Sequence, residues 1–217
     1  MSRKEFQIRV ADTEGRRATA TMLITKMYSW RGYHRPKVEA TCETGFHNSF
    51  TLILTSDDRT IGTVSIRFDS TVGLGADLLY KQELDKLRAL GYRLCEGIRL
   101  AIDPDIKSRQ VLAAAYHMGI IYAYHIQEFT TMLVEVHPRH VRFYKEMLGF
   151  RQIGAEKINP RVKAPAVLLQ LDLGYAQEQI SKFGGRGGLA DGERSLYPYF
   201  FLPSEEAGIA HRLAELT

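Results

Sequence analysis

The chain lacks most of what would mark it as a membrane, metal or disulfide protein. No apolar run in its 217 residues approaches the roughly 18 that a bilayer span needs. The start, MSRKEFQIRV, is basic but has no apolar stretch behind it, so no signal peptide is expected. Cysteine is scarce: Cys42 and Cys95 are far apart and fit no metal or redox spacing. No serine or cysteine sits in a nucleophile motif, and Cys95 has no identifiable histidine partner. A reduced, cytoplasmic protein is the default expectation. Charge of one sign is not concentrated either. The net charge is +4 and the isoelectric point about 9.0, but the cations are scattered. That fits a mildly basic surface, or a patch for an acidic partner. It gives no basic face of the kind expected for nucleic acid.

What is present is an ordinary globular composition, 45% hydrophobic and 25% charged, with regular patterning. Phe6–Val10 alternates as a strand, and a helix over Glu14–Trp30 carries Leu23, Met27 and Trp30 on one stripe. Residues 31–48 are irregular. Ser49–Thr55 and Thr60–Phe68 form a hairpin, with Gly62, Val64, Ile66 and Phe68 on one face and Thr63, Ser65 and Arg67 on the other. A helix over Leu78–Leu90 ends at Gly91. A strand over Arg93–Ile102 leads into a helix capped by Asp105 or Ser108 and running to about His125. A strand ending at His137-Pro138, a helix closed by Gly149, and strands at Arg151–Ile158 and Ala166–Leu171 follow, the last two separated by a loop bracketed by Pro160 and Pro165. Tyr175–Phe183 reads as a helix. Residues 1–183 are expected to form one domain. Residues 184–217 hold a Gly-rich linker and a tail, Tyr197-Pro198-Tyr199-Phe200-Phe201, too aromatic to stay undocked.

Two strings stand out. His137, Pro138, His140, Phe143, Tyr144, Leu148, Gly149 and Phe150 resemble the closing strand–helix–strand of the GNAT acyltransferase superfamily. Glu96-Gly97-Ile98-Arg99-Leu100-Ala101-Ile102 resembles a strand of acyl-homoserine-lactone synthases and, with Asp103-Pro104, the matching strand of long-chain N-acyl amino acid synthases. Pro160–Leu169 and Leu196–Phe200 resemble the latter family too, so the likeness spans roughly residues 50 to 205. It implies an α/β, GNAT-like central mixed sheet, mostly antiparallel, with helices on both faces. It also implies an N-acyltransferase that moves a fatty acyl group from an acyl carrier protein thioester to the amine of an amino acid such as tyrosine, by direct attack. No cofactor would be held permanently; the donor would be the carrier's acyl-phosphopantetheine.

Site residues follow from motif and chemistry together. An ideal strand points Glu96 and Arg99 to opposite faces, and a bulge at Gly97 would re-aim one of them. Glu96 then accepts the amine's proton, and Arg99 grips the acceptor carboxylate; otherwise both only pair with neighbouring strands. Tyr144 matches the GNAT tyrosine that protonates the leaving thiolate, but also sits on an apolar stripe suited to core packing. Trp30, Phe68, Ile98, Leu100, Met118 and His137 are expected to bind substrate, with Met22, Met27 and Phe50 as further candidates for an apolar lining, each with an ordinary core role as the alternative. The CoA-type glycine loop is missing at Ile106–Leu112, and Val111 would obstruct a pyrophosphate cradle. Lys107, Arg109 and Arg139 are the expected contacts for the carrier protein, or else solvated cations. The partners are thus the carrier and the amino acid, with no nucleic acid and at most transient membrane contact through a lipid product. Two rival readings stay open: a lactone-type synthase using S-adenosylmethionine, and a non-catalytic GNAT-fold binding module.

Overall fold

The computed structural model describes residues 6–30, 48–57, 59–187 and 192–215, with side chains from 28 to 30 excepted. Cys42 and residues 31–47, expected from sequence to be irregular, lie outside the described residues, as does the Trp30 side chain.

Among the described residues, eight strands build the sheet: β1 (Gln7–Val10), β2 (Ser49–Ser56), β3 (Arg59–Phe68), β4 (Leu94–Ile102), β5 (Thr131–Val136), β6 (Arg151–Gln152), β7 (Lys157–Asn159) and β8 (Ala164–Asp172). Their order is β1-β2-β3-β4-β5-β8-β6, with β7 also on β8. Every pairing is antiparallel except β4 with β5. The helices are α1 (Glu14–Trp30), α2 (Asp77–Ala89), α3 (Arg109–Ile120), α4 (Val141–Leu148), α5 (Leu173–Phe183) and α6 (Pro203–Ala214). Alternation along the strands places helices on both faces. In β2, Ile53 packs with Ala11 and Ala20 under α1, while Phe50, Leu52 and Leu54 pack with Val111, Ala115 and Met118 of α3. In the other half of the sheet, Leu94, Leu133 and Leu168 meet α2, and Cys95, Met132 and Leu169 meet α3, α4 and α5.

The sheet is buried more completely than alternation alone implies. Thr63 and Ser65 are as buried as Val64 and Ile66, because α1 covers their face; the Ser65 hydroxyl bonds to that of Thr51 at 2.7 Å. The expected strand 151–158 is broken instead. Ile153 and Gly154 both donate their N–H to the carbonyl of Leu168, at 3.0 and 3.2 Å, so one residue is surplus to the ladder. A Cβ at Gly154 would lie 2.6 Å from the Tyr80 ring. Pro165, expected in the loop, belongs to β8 and pairs with Ile158. The long helix after β4 changes character: past Ile120 it continues as a π-helical stretch, Ile121–Ile126. Gly149, at φ +78°, closes α4 in the left-handed region that glycine tolerates.

Residues 184–187 are held in place rather than acting as free linker. Gly185 donates its N–H to the Phe200 carbonyl at 2.9 Å. Leu196, Tyr197 and Phe200 are core residues, and the Tyr197 hydroxyl donates to the Leu148 carbonyl at 2.8 Å. His117, fully buried in α3, accepts the Phe201 N–H on Nδ1 at 3.0 Å and stacks on Phe200 and Phe201.

Candidate active site

The parallel pair β4 and β5 is where the sheet opens. They are in register over three rungs only, Leu94 with Thr131, Cys95 with Met132 and Glu96 with Leu133. Beyond Glu96 they diverge, and β4 keeps its pairing with β3 alone. A bulge makes this possible. Thr63 pairs with Ala101 and Ser65 with Ile98, so the single residue Val64 of β3 faces both Arg99 and Leu100 of β4. The surplus falls at Arg99, whose φ is +53°, two residues past the glycine that the sequence marks out. A non-glycine residue in the left-handed region costs of order 1 kcal/mol or more, and such strain collects at functional sites. The bulge reverses the strand's facing: Cys95 lies on the α3 side and Glu96 on the α2 side, yet Leu100 and Ile102 return to the α3 side while Ala101 joins the α1 cluster.

The resulting V encloses a cavity of about 520 Å³. Its walls include Glu96, Gly97, Ile98, Arg99 and Leu100 of β4, and Val134, Glu135 and Val136 of β5. Met27 closes it from α1, Leu112 and Tyr116 from α3, and Phe143 and Tyr144 from α4. His137 and His140 stand at the end of β5, and Asn159 and Arg161 flank the β7–β8 turn. The lining is mostly apolar with a few convergent polar groups, the usual character of a small-molecule site.

The polar groups are not equivalent. Glu96, 4% exposed, accepts the Gly75 N–H on Oε2 at 2.7 Å, with Arg67 Nη1 3.9 Å away. Burial pushes its carboxyl above the ordinary range, and Arg67 pulls against that. The loop that supplies Gly75 is braced by Arg88, which grips Asp69 and Asp77 through paired bonds of 2.7–2.9 Å. That grip holds the Asp77 carboxyl below the usual range. Glu135 is half-buried on the same face as Glu96, since it lies two residues beyond Leu133, the partner of Glu96. Asn159 donates its side-chain amide to Glu135 Oε1, and Asn159 Oδ1 accepts the Arg161 N–H at 2.8 Å. Burial raises the Glu135 carboxyl also. Tyr144 packs edge-on against Phe150 and Tyr116, at centroid distances of 5.2 and 6.0 Å. Burial drives the Tyr116 phenol well upward. His137 caps the turn after β5: its Nδ1 accepts the Arg139 N–H at 3.2 Å.

Of the residues singled out from sequence, Glu96, Arg99, Tyr144, Ile98, Leu100, His137 and Met27 meet at this cavity. Phe68 and Met118 do not. Phe68 stacks on Phe129 at 5.2 Å inside the core, and Met118 packs with Phe50 and Leu52 under β2. Phe50 is core for the same reason, stacked on Tyr122 at 3.5 Å, and Met22 is solvent-exposed. Apolar character alone does not say which buried side chains reach the splay between β4 and β5. Cys95 points into the core away from Glu96, and burial holds its thiol in the protonated form. Lys107, Arg109 and Arg139 are exposed, and the Arg109 guanidinium lies 5.8 Å over the Tyr199 ring. Sequence reasoning passed over Glu135, Asn159, Arg161 and Tyr116. For Glu135 there was a signal: it stands in phase with Leu133, on a face that the strand otherwise buries.

The start of α3 is already filled from within. Ser108 accepts the Val111 N–H on its hydroxyl at 3.3 Å, and Asp103 accepts the Asp105 N–H at 3.1 Å while bonded to Arg59 at 2.6 Å. Val111 is buried under the sheet.

The comparisons with known proteins converge on this geometry. The solved structure of FeeM, an N-acyl amino acid synthase from uncultured soil microbes, is similar with a TM-score of 0.72 and 27% identity, over 80% of this chain and 94% of that one. An N-acetyltransferase from Staphylococcus aureus Mu50 (TM-score 0.55, 10% identity, 78% of this chain and 98% of that one) shares the fold. So does a GNAT-family acetyltransferase from Streptococcus pneumoniae (TM-score 0.51, 15% identity, 77% and 99%). No curated protein sequence matches. The family described as N-acyl amino acid synthase FeeM matches residues 19–172, which include the whole of β4, β5 and the cleft between them. The chain therefore belongs to the FeeM N-acyl amino acid synthase family and is an N-acyltransferase of GNAT fold.

Proposed function

We propose that the enzyme transfers a long-chain fatty acyl group from the phosphopantetheine thioester of an acyl carrier protein to the α-amine of an amino acid, tyrosine among the acceptors to try first. The observation that carries this reading is the splayed β4–β5 cleft. An apolar cavity suited to an acyl chain there meets two carboxylates and the Arg99 guanidinium. Past Glu96 the β5-side edge of β4 is released from strand pairing, so its backbone can polarise the thioester carbonyl. A carboxylate of the cleft accepts the amine's proton, Arg99 holds the acceptor carboxylate, and Tyr144 supplies a proton to the departing thiolate.

A carrier-bound donor suits the start of α3. Ser108 occupies that helix terminus with its own hydroxyl, and no glycine leaves room for a pyrophosphate. The exposed Lys107, Arg109 and Arg139 are suited to an acidic carrier surface and would steer its approach. A soluble donor and acceptor are consistent with a cytoplasmic setting.

The test offers the purified enzyme carrier-bound long-chain thioester or acyl-CoA, each with a panel of amino acids, and identifies N-acyl products by mass. Product from the carrier thioester is the expected result. Turnover with short acyl-CoA and none with the carrier would defeat the reading. The lactone-synthase alternative predicts that S-adenosylmethionine, and not an amino acid, is consumed.

A further inference from the structure

We propose that Glu135, rather than Glu96, takes the proton from the acceptor amine. This rests on the function proposed above and assigns the proton transfer within it.

The two carboxylates occupy different depths of the V. Glu96 is on the last rung that joins β4 to β5, at the closed apex. Glu135 lies two residues further along β5, where the strands have separated. Glu96 is also committed inward. Its Oε2 takes the Gly75 N–H and faces Arg67, and a Cβ placed on Gly75 would lie 3.0 and 3.2 Å from its two oxygens, so the loop closes over that carboxylate. Glu135 is oriented but not used up. Among the described residues its one hydrogen-bond donor is the Asn159 side chain, on Oε1, and Asn159 is itself fixed by the Arg161 N–H. Oε2 is left for a ligand. Such an arrangement, a held carboxylate lining a cavity with one oxygen unsatisfied, is what a proton acceptor needs: correct aim from a neighbour and a lone pair directed at the substrate. Burial raises the proton affinity of the Glu135 carboxylate, while the Asn159 amide and the nearby Arg161 pull against it.

The chemistry balances in two proton movements. The acceptor arrives as an ammonium ion, and Glu135 takes one proton to free the nitrogen lone pair. That nitrogen attacks the thioester carbonyl; a C–N bond forms, and collapse of the tetrahedral adduct breaks the C–S bond. The second nitrogen proton ends on the departing sulfur, giving amide and thiol. Glu135 then returns its proton to water through the open side of the cavity.

The experiment compares wild type, Glu135→Gln and Glu96→Gln with two acceptors: the amino acid, and hydroxylamine, whose nitrogen is unprotonated at neutral pH. Glu135→Gln should lower kcat with the amino acid by about 100-fold or more, the usual scale for a lost general base, yet leave turnover with hydroxylamine within a few fold. Glu96→Gln should affect both acceptors alike. Asn159→Ala, which keeps the carboxylate but loosens its aim, should show the same acceptor selectivity more weakly, and serves if Glu135→Gln fails to fold. An amino-acid rate for Glu135→Gln equal to wild type, or acceptor-selective loss confined to Glu96→Gln, overturns the proposal while leaving the function standing. A wild type that makes no N-acyl amino acid removes the function and this assignment together.

Discussion

Two sets of buried polar side chains lie on opposite sides of the sheet, and their contrast separates holding from acting. On the α3 side, Glu206 of α6 lies between His125, at 2.9 Å, and His117, at 3.5 Å, with the Gln177 amide at 3.3 Å. These donors pull its carboxyl down to about 2 against the effect of burial. The ring of His125 is pushed up by the same contact, and that of the more deeply buried His117 is pushed down. None of these residues lines the cleft's cavity, and the cluster pins the C-terminal segment to the core. In the cleft, Glu96 is also buried and Glu135 half-buried, but their carboxyls are pushed up, because the donors around them do not offset desolvation. A carboxylate whose donors outweigh desolvation contributes structure; carboxylates whose desolvation is not offset, beside a cavity, are where a ligand's charge has most to gain.

The contrast breaks if the two clusters respond alike to mutation. The largest expected difference is in turnover. Glu135→Gln should cost about 100-fold in kcat with an amino acid acceptor. Glu206→Gln should leave kcat within about twofold, measured at a temperature well below either midpoint. Stability should move the other way. Glu206→Gln is expected to lose about 2 kcal/mol at neutral pH in chemical denaturation, the scale of hydrogen bonds to a charged group. Glu135→Gln should be neutral or slightly stabilising, since it removes a desolvated charge.

Acid sharpens the same comparison. The Glu206 carboxyl is lowered on folding, so its contribution is complete above its unfolded value near pH 4.3 and disappears as pH falls towards about 2. The stability gap between wild type and Glu206→Gln should therefore close over that window. His125 is raised on folding, so its share is present below about pH 6.5 and is lost as pH climbs through its folded value. His117 opposes this, its buried neutral ring being penalised below about pH 6.5. Smaller still is the tail's anchor: Tyr197→Phe, which removes the bond to Leu148, should cost about 1 kcal/mol and no activity. The smallest effect is at the exposed start of α3. Lys107→Glu or Arg109→Glu should each raise the KM for the carrier thioester a few fold at low salt, and the difference should fade as salt is added.

How much of this was legible in the sequence follows from what each feature depends on. Strands and helices came through because their punctuation is local: Gly91, Ser108, Pro138 and Gly149 stand where chain direction changes. The GNAT architecture came through because the β4 and β5–α4 strings are specific in combination. What did not come through depends on distant partners. Arg99, not Gly97, carries the bulge, and nothing local marks it; the register against β3 decides it. Phe68 and Met118 read as cavity lining but are core, because they pack away from the splay, Phe68 against Phe129 and Met118 under β2. Asn159 and Arg161 enter the site by way of the β7–β8 turn, more than 20 residues beyond Glu135 in sequence. His117 gave no hint of its role, which is set by Phe201 and Glu206 over 80 residues away.

The central claim, that acyl thioester and amine meet in the β4–β5 cleft, is tested most directly by filling it. Val136→Trp puts an indole where the acyl chain would pass, at a half-buried cavity-lining position. With carrier-bound long-chain thioester and tyrosine, wild type should give the N-acyl amino acid in a single-turnover assay, and the variant should give at most about a tenth of that rate while its far-UV spectrum is kept. An unchanged rate in a folded Val136→Trp enzyme would contradict the account.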